Sequence, residues 1–112
     1  MTEPYVSVRP MVLAILTREL PVLRERFGVA SIGVFGSVSR GEDTPESDVD
    51  VLVTYRPGQA TFANILYLED YLGEVFGRKA EVVPADGVSR YMRPAIEAGV
   101  IPIDGQFPEA GI

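Results

Sequence analysis

The sequence predicts an α/β (α+β) fold, a small mixed β-sheet with helices packed on one face. Apolar residues recur at helical spacing over 8–19 and again over 62–76. Short Val-rich runs at 30–35, 48–55 and 78–83 read as strands. The chain has 112 residues, 46% of them hydrophobic, and a mean hydropathy of +0.15. That suits one small domain with its own core.

Each element follows in order. Residues 1–6 carry no periodic pattern and are expected to be a loose arm. Ser7 can cap a helix over 8–19, with Pro10 tolerated in its first turn. Met11, Val12, Ile15, Leu16 and Leu20 form its apolar side. Pro21 lacks an N–H and disfavours helix at Leu20, so a break is expected there, then a short helix over 21–27 that Gly28 stops. The first strand spans 30–35, and Gly36-Ser37 ends it and opens a short helix to residue 40. The polar stretch 41–47 is a loop, and 48–55 is the second strand. Arg56-Pro57-Gly58 signals a turn. Thr61 can cap a helix over 62–76 whose apolar side is Phe62, Ile65, Leu66, Leu68, Leu72 and Val75, with Gly77 closing it. The third strand covers 78–83 and a loop 84–88. Ser89 can cap a last helix to residue 98, and 100–103 is a short extended piece. The domain is therefore expected over 1–103, with 104–112 a disordered tail.

Composition excludes much chemistry. Cysteine and histidine are both absent. Disulfides, thiolate metal sites, imidazole acid–base catalysis and His-ligated zinc are thereby ruled out. Any metal must take oxygen ligands, which favours magnesium or manganese. The net charge is −6 and the ten basic residues are scattered, so no direct partner of DNA or RNA type is expected. No apolar run approaches the ~20 residues of a membrane span. Met1-Thr2-Glu3-Pro4 lacks the charged start of a signal peptide, and a cytoplasmic location is expected.

The chemistry concentrates between residues 34 and 53. Gly36-Ser37 is followed, after ten residues, by Asp48-x-Asp50. Residues i and i+2 of a strand share a face, with Cα atoms roughly 6.6 Å apart. The two carboxylates can converge on a metal, or simply form the acidic end of a half-wet strand. Gly36-Ser37 can be an ordinary turn, or a glycine that lets backbone N–H groups approach a phosphate while the Ser37 hydroxyl adds a donor. Arg40 can meet a terminal phosphate or point into solvent. The combined match would arise by chance on the order of once in a thousand chains of this length. If the third strand lies beside the second, Glu81 joins Asp48 and Asp50 on one face. Three carboxylates could then hold two metals, one on a triphosphate and one on an acceptor hydroxyl.

This arrangement resembles the DNA polymerase beta-like nucleotidyltransferase superfamily, whose signature is Gly-Ser, ten residues, Asp-x-Asp. The stretches Phe35-Gly36-Ser37-Val38-Ser39-Arg40-Gly41 and Ser47-Asp48-Val49-Asp50-Val51-Leu52-Val53 are similar to its minimal nucleotidyltransferase (MNT) branch. So are Arg24-Glu25-Arg26-Phe27-Gly28-Val29 and Phe76-Gly77-Arg78-Lys79. The resemblance covers roughly 11–103. It implies a nucleotidyltransferase core that binds Mg-ATP, Gly36 and Ser37 on the triphosphate, and Asp48 and Asp50 on the metals. It further implies an antitoxin that moves AMP onto a tyrosine of a HEPN-type toxin and forms a hetero-oligomer with it. One departure stands out: the third carboxylate, commonly Asp in that family, is Glu81 here. With about 100 residues in the expected domain, no appended acceptor-selecting domain is expected, and a partner surface would then select the acceptor. Two other readings stay open. One is a catalytically inactive fold that neutralises its partner by contact; the other is a small-molecule nucleotidyltransferase.

Overall fold

Helix α1 spans Arg9–Phe27 and runs unbroken through Pro21, against the break expected there. Pro21 faces solvent, so water can reach the Thr17 carbonyl that lacks its usual partner. Leu16, Leu20, Leu23 and Phe27, on both sides of Pro21, are buried. Each contributes ~1.5–3 kcal/mol on burial, which together exceeds the ~3 kcal/mol cost of an interior proline. In the computed structural model, residues 4–88 and 90–103 are described. The predicted tail at 104–112 and the predicted cap Ser89 lie outside them.

The start of α1 also departs from expectation. Val8, not Ser7, holds the capping position. The Ser7 hydroxyl accepts from the Arg9 N–H at 3.1 Å, and Asp43 accepts from the Val8 N–H at 3.0 Å. The arm before it is not loose from Tyr5 onward, because Tyr5 Oη donates to Asp43 Oδ2 at 2.6 Å.

Strand β1 (Val29–Phe35) lies between β2 (Val49–Tyr55) and the two-residue β4 (Ile101–Pro102), antiparallel to both. Strand β3 (Ala80–Pro84) pairs parallel with β2, giving one mixed four-stranded sheet in the order β3-β2-β1-β4. A parallel pair needs a crossover, and α3 (Phe62–Phe76) supplies it. Thr61 caps α3 as expected, its hydroxyl accepting from the Asn64 N–H at 3.1 Å. Within α3, Leu68, Leu72 and Phe76 are buried, while Phe62 and Leu66 are 77% and 42% exposed. At 3.6 residues per turn those two fall on the flank of the Leu68–Leu72 stripe, not on the apolar side expected for them.

Alternation along the strands sorts the sheet into two faces. Ile32, Val34, Val49, Val51, Val53, Ala80 and Val82 join the α1 and α3 residues in the main core. Phe35, Leu52 and Val83 point the other way, under Ile96 of the short α4 (Arg93–Glu97). The two long helices thus cover one face, as expected, and α4 covers part of the other. Residues 85–87, read as loop, form one turn of 3₁₀ helix, and α4 begins four residues later than residue 89, with Pro94 in its first turn. The free edge of β3 is guarded by Glu69, whose carboxylate accepts from the Val82 N–H at 2.9 Å. A filled edge donor is one way a sheet resists pairing with other chains.

Candidate functional site

The site lies on the face of Phe35, Leu52 and Val83, where β1 ends and β2 and β3 begin. Register puts it together. Phe35 pairs with Asp50, and Asp50 pairs with Glu81. Neighbouring strands lie ~4.8 Å apart, so Asp50 and Glu81 stand side by side, and the turn after Phe35 begins directly beside Asp50. The strand pairing assumed from sequence is therefore present. Asp48 sits just ahead of β2, half-buried, not inside the strand.

Gly36 opens the five-residue helix α2 (Gly36–Arg40) with φ +75°. Its backbone packs against the Asp50 carboxylate so closely that a Cβ there would lie 2.4 Å from Oδ2. Ser37 is half-buried beside it, and the Ser39 hydroxyl donates to the Gly36 carbonyl at 2.6 Å. A helix this short carries little dipole. What the turn offers an anion is its free N–H groups and the Ser37 hydroxyl. Arg40 lies on the surface, its Nε 2.9 Å from Glu42 Oε1.

Asp50 records the crowding. Burial, then the charges of Glu81 and Asp48, then a hydrogen bond with Glu81 push its pKa up to about 6. Among the described residues no three acidic side chains form a finished metal cage. Asp50 and Glu81 form the joined pair, and Asp48 acts on it through its charge. This all-oxygen donor set fits magnesium or manganese.

Sequence reasoning missed what holds the connector between the two halves of the motif. Asp43 is only 6% exposed. It accepts from Tyr5 Oη, from the Ser7 hydroxyl and from the Val8 N–H. Burial alone would raise its pKa, but these hydrogen bonds outweigh it and bring it to about 2. Nothing in Gly41-Glu42-Asp43-Thr44 sets Asp43 apart from the other loop acids, since its partners lie more than thirty residues away. Arg78, expected in the third strand, precedes β3 and donates to the Thr44 and Ser47 carbonyls at 3.0 and 3.1 Å. A cleft of about 360 Å³ lined by Arg26, Phe27, Tyr67, Asp70, Tyr71 and Glu74 lies on the helical side and includes none of Asp48, Asp50 and Glu81.

Among known proteins, the nucleotidyltransferase domain model matches residues 18–101. The protein adenylyltransferase MntA of Thermococcus cleftensis is 38% identical over 87 residues, covering 78% of this chain and 79% of that protein. A solved structure of a candidate minimal nucleotidyltransferase superposes with a TM-score of 0.67 at 29% identity, covering 82% of this chain and 93% of that one. The fold recurs at a TM-score of 0.63 in the complex of a tri-AMPylated Shewanella oneidensis HEPN toxin with MNT antitoxin. There the identity is 14%, and 88% of this chain and 73% of that one are covered.

Proposed function

The chain belongs to the nucleotidyltransferase domain family, in its minimal branch, and on that premise we propose that it is a magnesium-dependent protein adenylyltransferase acting as an antitoxin. It moves AMP from ATP to a tyrosine of a HEPN-type toxin with which it associates, in the cytoplasm. The observation that carries this reading is the meeting of Gly36, just past the end of β1, with Asp50 on β2 and Glu81 on β3. A phosphate-approaching turn and a carboxylate pair meet there at contact distance.

Asp48, Asp50 and Glu81 would hold magnesium, which supplies charge neutralisation on the triphosphate and a lowered pKa at the acceptor hydroxyl. The carboxylates suit that task because burial first, and then the charges of Glu81 and Asp48, disfavour an ionised Asp50, and a cation offsets both. Gly36 lets the backbone reach the triphosphate without a Cβ in the way, and Ser37 donates to a phosphate oxygen. Arg40 can leave Glu42 for a phosphate at little cost, because an exposed ion pair is worth only ~0–1 kcal/mol. The acceptor hydroxyl gives up its proton to solvent, and its oxygen forms a bond to the α-phosphorus as the bond to the bridging oxygen breaks and pyrophosphate departs. Manganese would serve the same oxygen ligands.

The test is transfer of α-labelled ATP to a co-purified toxin in the presence of magnesium. Label on the toxin, lost on Asp48→Asn, is the expected result. Neutralisation of the toxin with no label, undisturbed by Asp48→Asn, would instead establish an antitoxin that works by contact. Label on a small-molecule acceptor would move the substrate class.

A further inference from the structure

Asp48 precedes β2 while Glu81 lies in β3, and the ten-residue connector before Asp48 has no regular structure beyond its first turn. The ladder sets Val49 against Ala80, and ahead of it Arg78 ties the connector to the root of β3. This residue precedes Lys79, whose carbonyl accepts the Val49 N–H at 2.9 Å. Its Nη1 donates to both the Thr44 and the Ser47 carbonyls. These are the two ends of a turn closed by the Ser47 N–H on the Thr44 carbonyl at 3.0 Å and by the Thr44 N–H on the Ser47 hydroxyl at 2.8 Å. Ser47 is the residue next to Asp48. One side chain at the root of the Glu81 strand therefore grips the turn that delivers Asp48.

The guanidinium is itself held. Nη2 donates to Tyr5 Oη at 3.1 Å, and Cζ stands 5.9 Å from the centroid of the Tyr5 ring. Tyr5 Oη donates in turn to Asp43, inside the same connector. We propose that Arg78 is a positioning residue for the metal-binding carboxylates: it sets Asp48 against Glu81, with Tyr5 and Asp43 holding its guanidinium in place. The proposal rests on the reading of Asp48, Asp50 and Glu81 as metal ligands. Arginine is required because two carbonyls and a phenol oxygen need a planar fork of donors, which an ammonium on a flexible stem does not supply.

The experiment measures binding of Mn²⁺ alone, by its electron paramagnetic resonance signal, to the full chain without nucleotide, alongside thermal unfolding. Outer-shell partners of metal ligands typically contribute about 10–100-fold in affinity. Arg78→Met should weaken Mn²⁺ binding by about that factor, with Arg78→Lys in between. Arg56→Met is the matched control. It removes an arginine–carbonyl bond of the same kind, Arg56 Nη2 to the Arg24 carbonyl at 2.6 Å, at the far end of β2, and should lower the melting temperature without changing Mn²⁺ affinity. If Arg78→Met does not fold, Arg78→Lys and Tyr5→Phe carry the test, each weakening Mn²⁺ binding several-fold. Wild-type affinity in folded Arg78 variants that only melt earlier would reduce Arg78 to a structural bond and overturn the proposal. A wild-type chain that binds no Mn²⁺ would overturn it together with the ligand assignment. Mn²⁺ binding that depends on Arg78, in a chain that transfers no AMP, would uphold the positioning role and overturn the transferase reading alone.

Discussion

A Cβ on Gly36 would lie 2.4 Å from Oδ2 of Asp50, so the first residue of the turn after β1 and the central carboxylate share one space. Two costs follow for Gly36→Ala. The backbone sits at φ +75°, where an L side chain costs ~1–2 kcal/mol. The methyl must also push Asp50 away from Glu81. Nucleotide transfer should fall by at least ~100-fold, since small misplacements at a reacting centre cost that much. A cooperative melting curve, lowered by no more than the ~4–15 °C that ~1–2 kcal/mol implies for a domain of this size, would show that the loss is local. Near-normal transfer would mean the turn and the carboxylate do not act together.

ATP should stabilise the chain only with magnesium. The carboxylates repel a bare triphosphate, and the net charge of −6 adds to that repulsion. In thermal-shift series, ligand that binds the folded state at ~100 times its Kd should add ~2.7 kcal/mol. Chelator should abolish the gain, and so should Asp50→Asn. Equal stabilisation with and without chelator would show that the nucleotide is held without the carboxylates.

Glu81 faces Asp50 across the parallel pair, so Glu81→Gln removes one charge from the crowded pair at constant size. If Glu81 ligates the metal at the acceptor hydroxyl, AMP transfer should drop ~100-fold or more while Mg-ATP affinity changes little. Rate lost with ground-state binding kept marks an interaction made in the transition state. Glu81→Asp shortens the reach by one methylene. Because strand spacing is fixed by the ladder, the shorter side chain should transfer more slowly than wild type. Wild-type rates in both variants would leave Asp48 and Asp50 to suffice.

What the sequence made legible was local. The Val runs, the Thr61 cap and the glycine stops at Gly28 and Gly77 are read from neighbours a few residues apart, and the structure keeps them. Asp48, Asp50 and Gly36 were legible because their spacing is itself the signal. Asp43 and Arg78 were not, because their partners Tyr5, Ser7, Thr44 and Ser47 become neighbours only after the chain has folded. Pro21 was misread for the opposite reason. Its local rule is strong, but the leucines on both sides outweigh it. This makes Pro21→Ala informative. An interior proline costs ~3 kcal/mol, less the ~0.4–1 kcal/mol by which it stiffens the unfolded chain. The substitution should therefore stabilise by ~2 kcal/mol, or ~8 °C or more in melting temperature for a domain of this size. A melting temperature that falls would show that the helix is built around the proline.

Asp43 supplies a pH test with a defined sign. Its pKa is near 2 in the folded chain, against ~3.9 for an unperturbed aspartate. The folded state therefore prefers the ionised carboxylate. Its contribution is present above about pH 4 and is lost as pH falls toward 2. Ionised, Asp43 accepts from Tyr5 Oη, Ser7 Oγ and the Val8 N–H, and so ties the arm, the start of α1 and the connector together. Protonated, it must use one oxygen as a donor, and at least one of those three bonds loses its acceptor. Asp43→Asn imitates that neutral state at every pH. At pH 7 the variant should be less stable than wild type by ~1.5–3 kcal/mol, the range for hydrogen bonds to a charged group. As pH falls from 4 to 2 the wild-type curve should descend towards the variant's, which lacks this titration. Urea unfolding of both chains at pH 7, 4 and 2.5 measures the gap. A gap unchanged across that window would mean that the ionised form of Asp43 is not what holds the connector, and the bond from Tyr5 would then hold through the neutral acid as well.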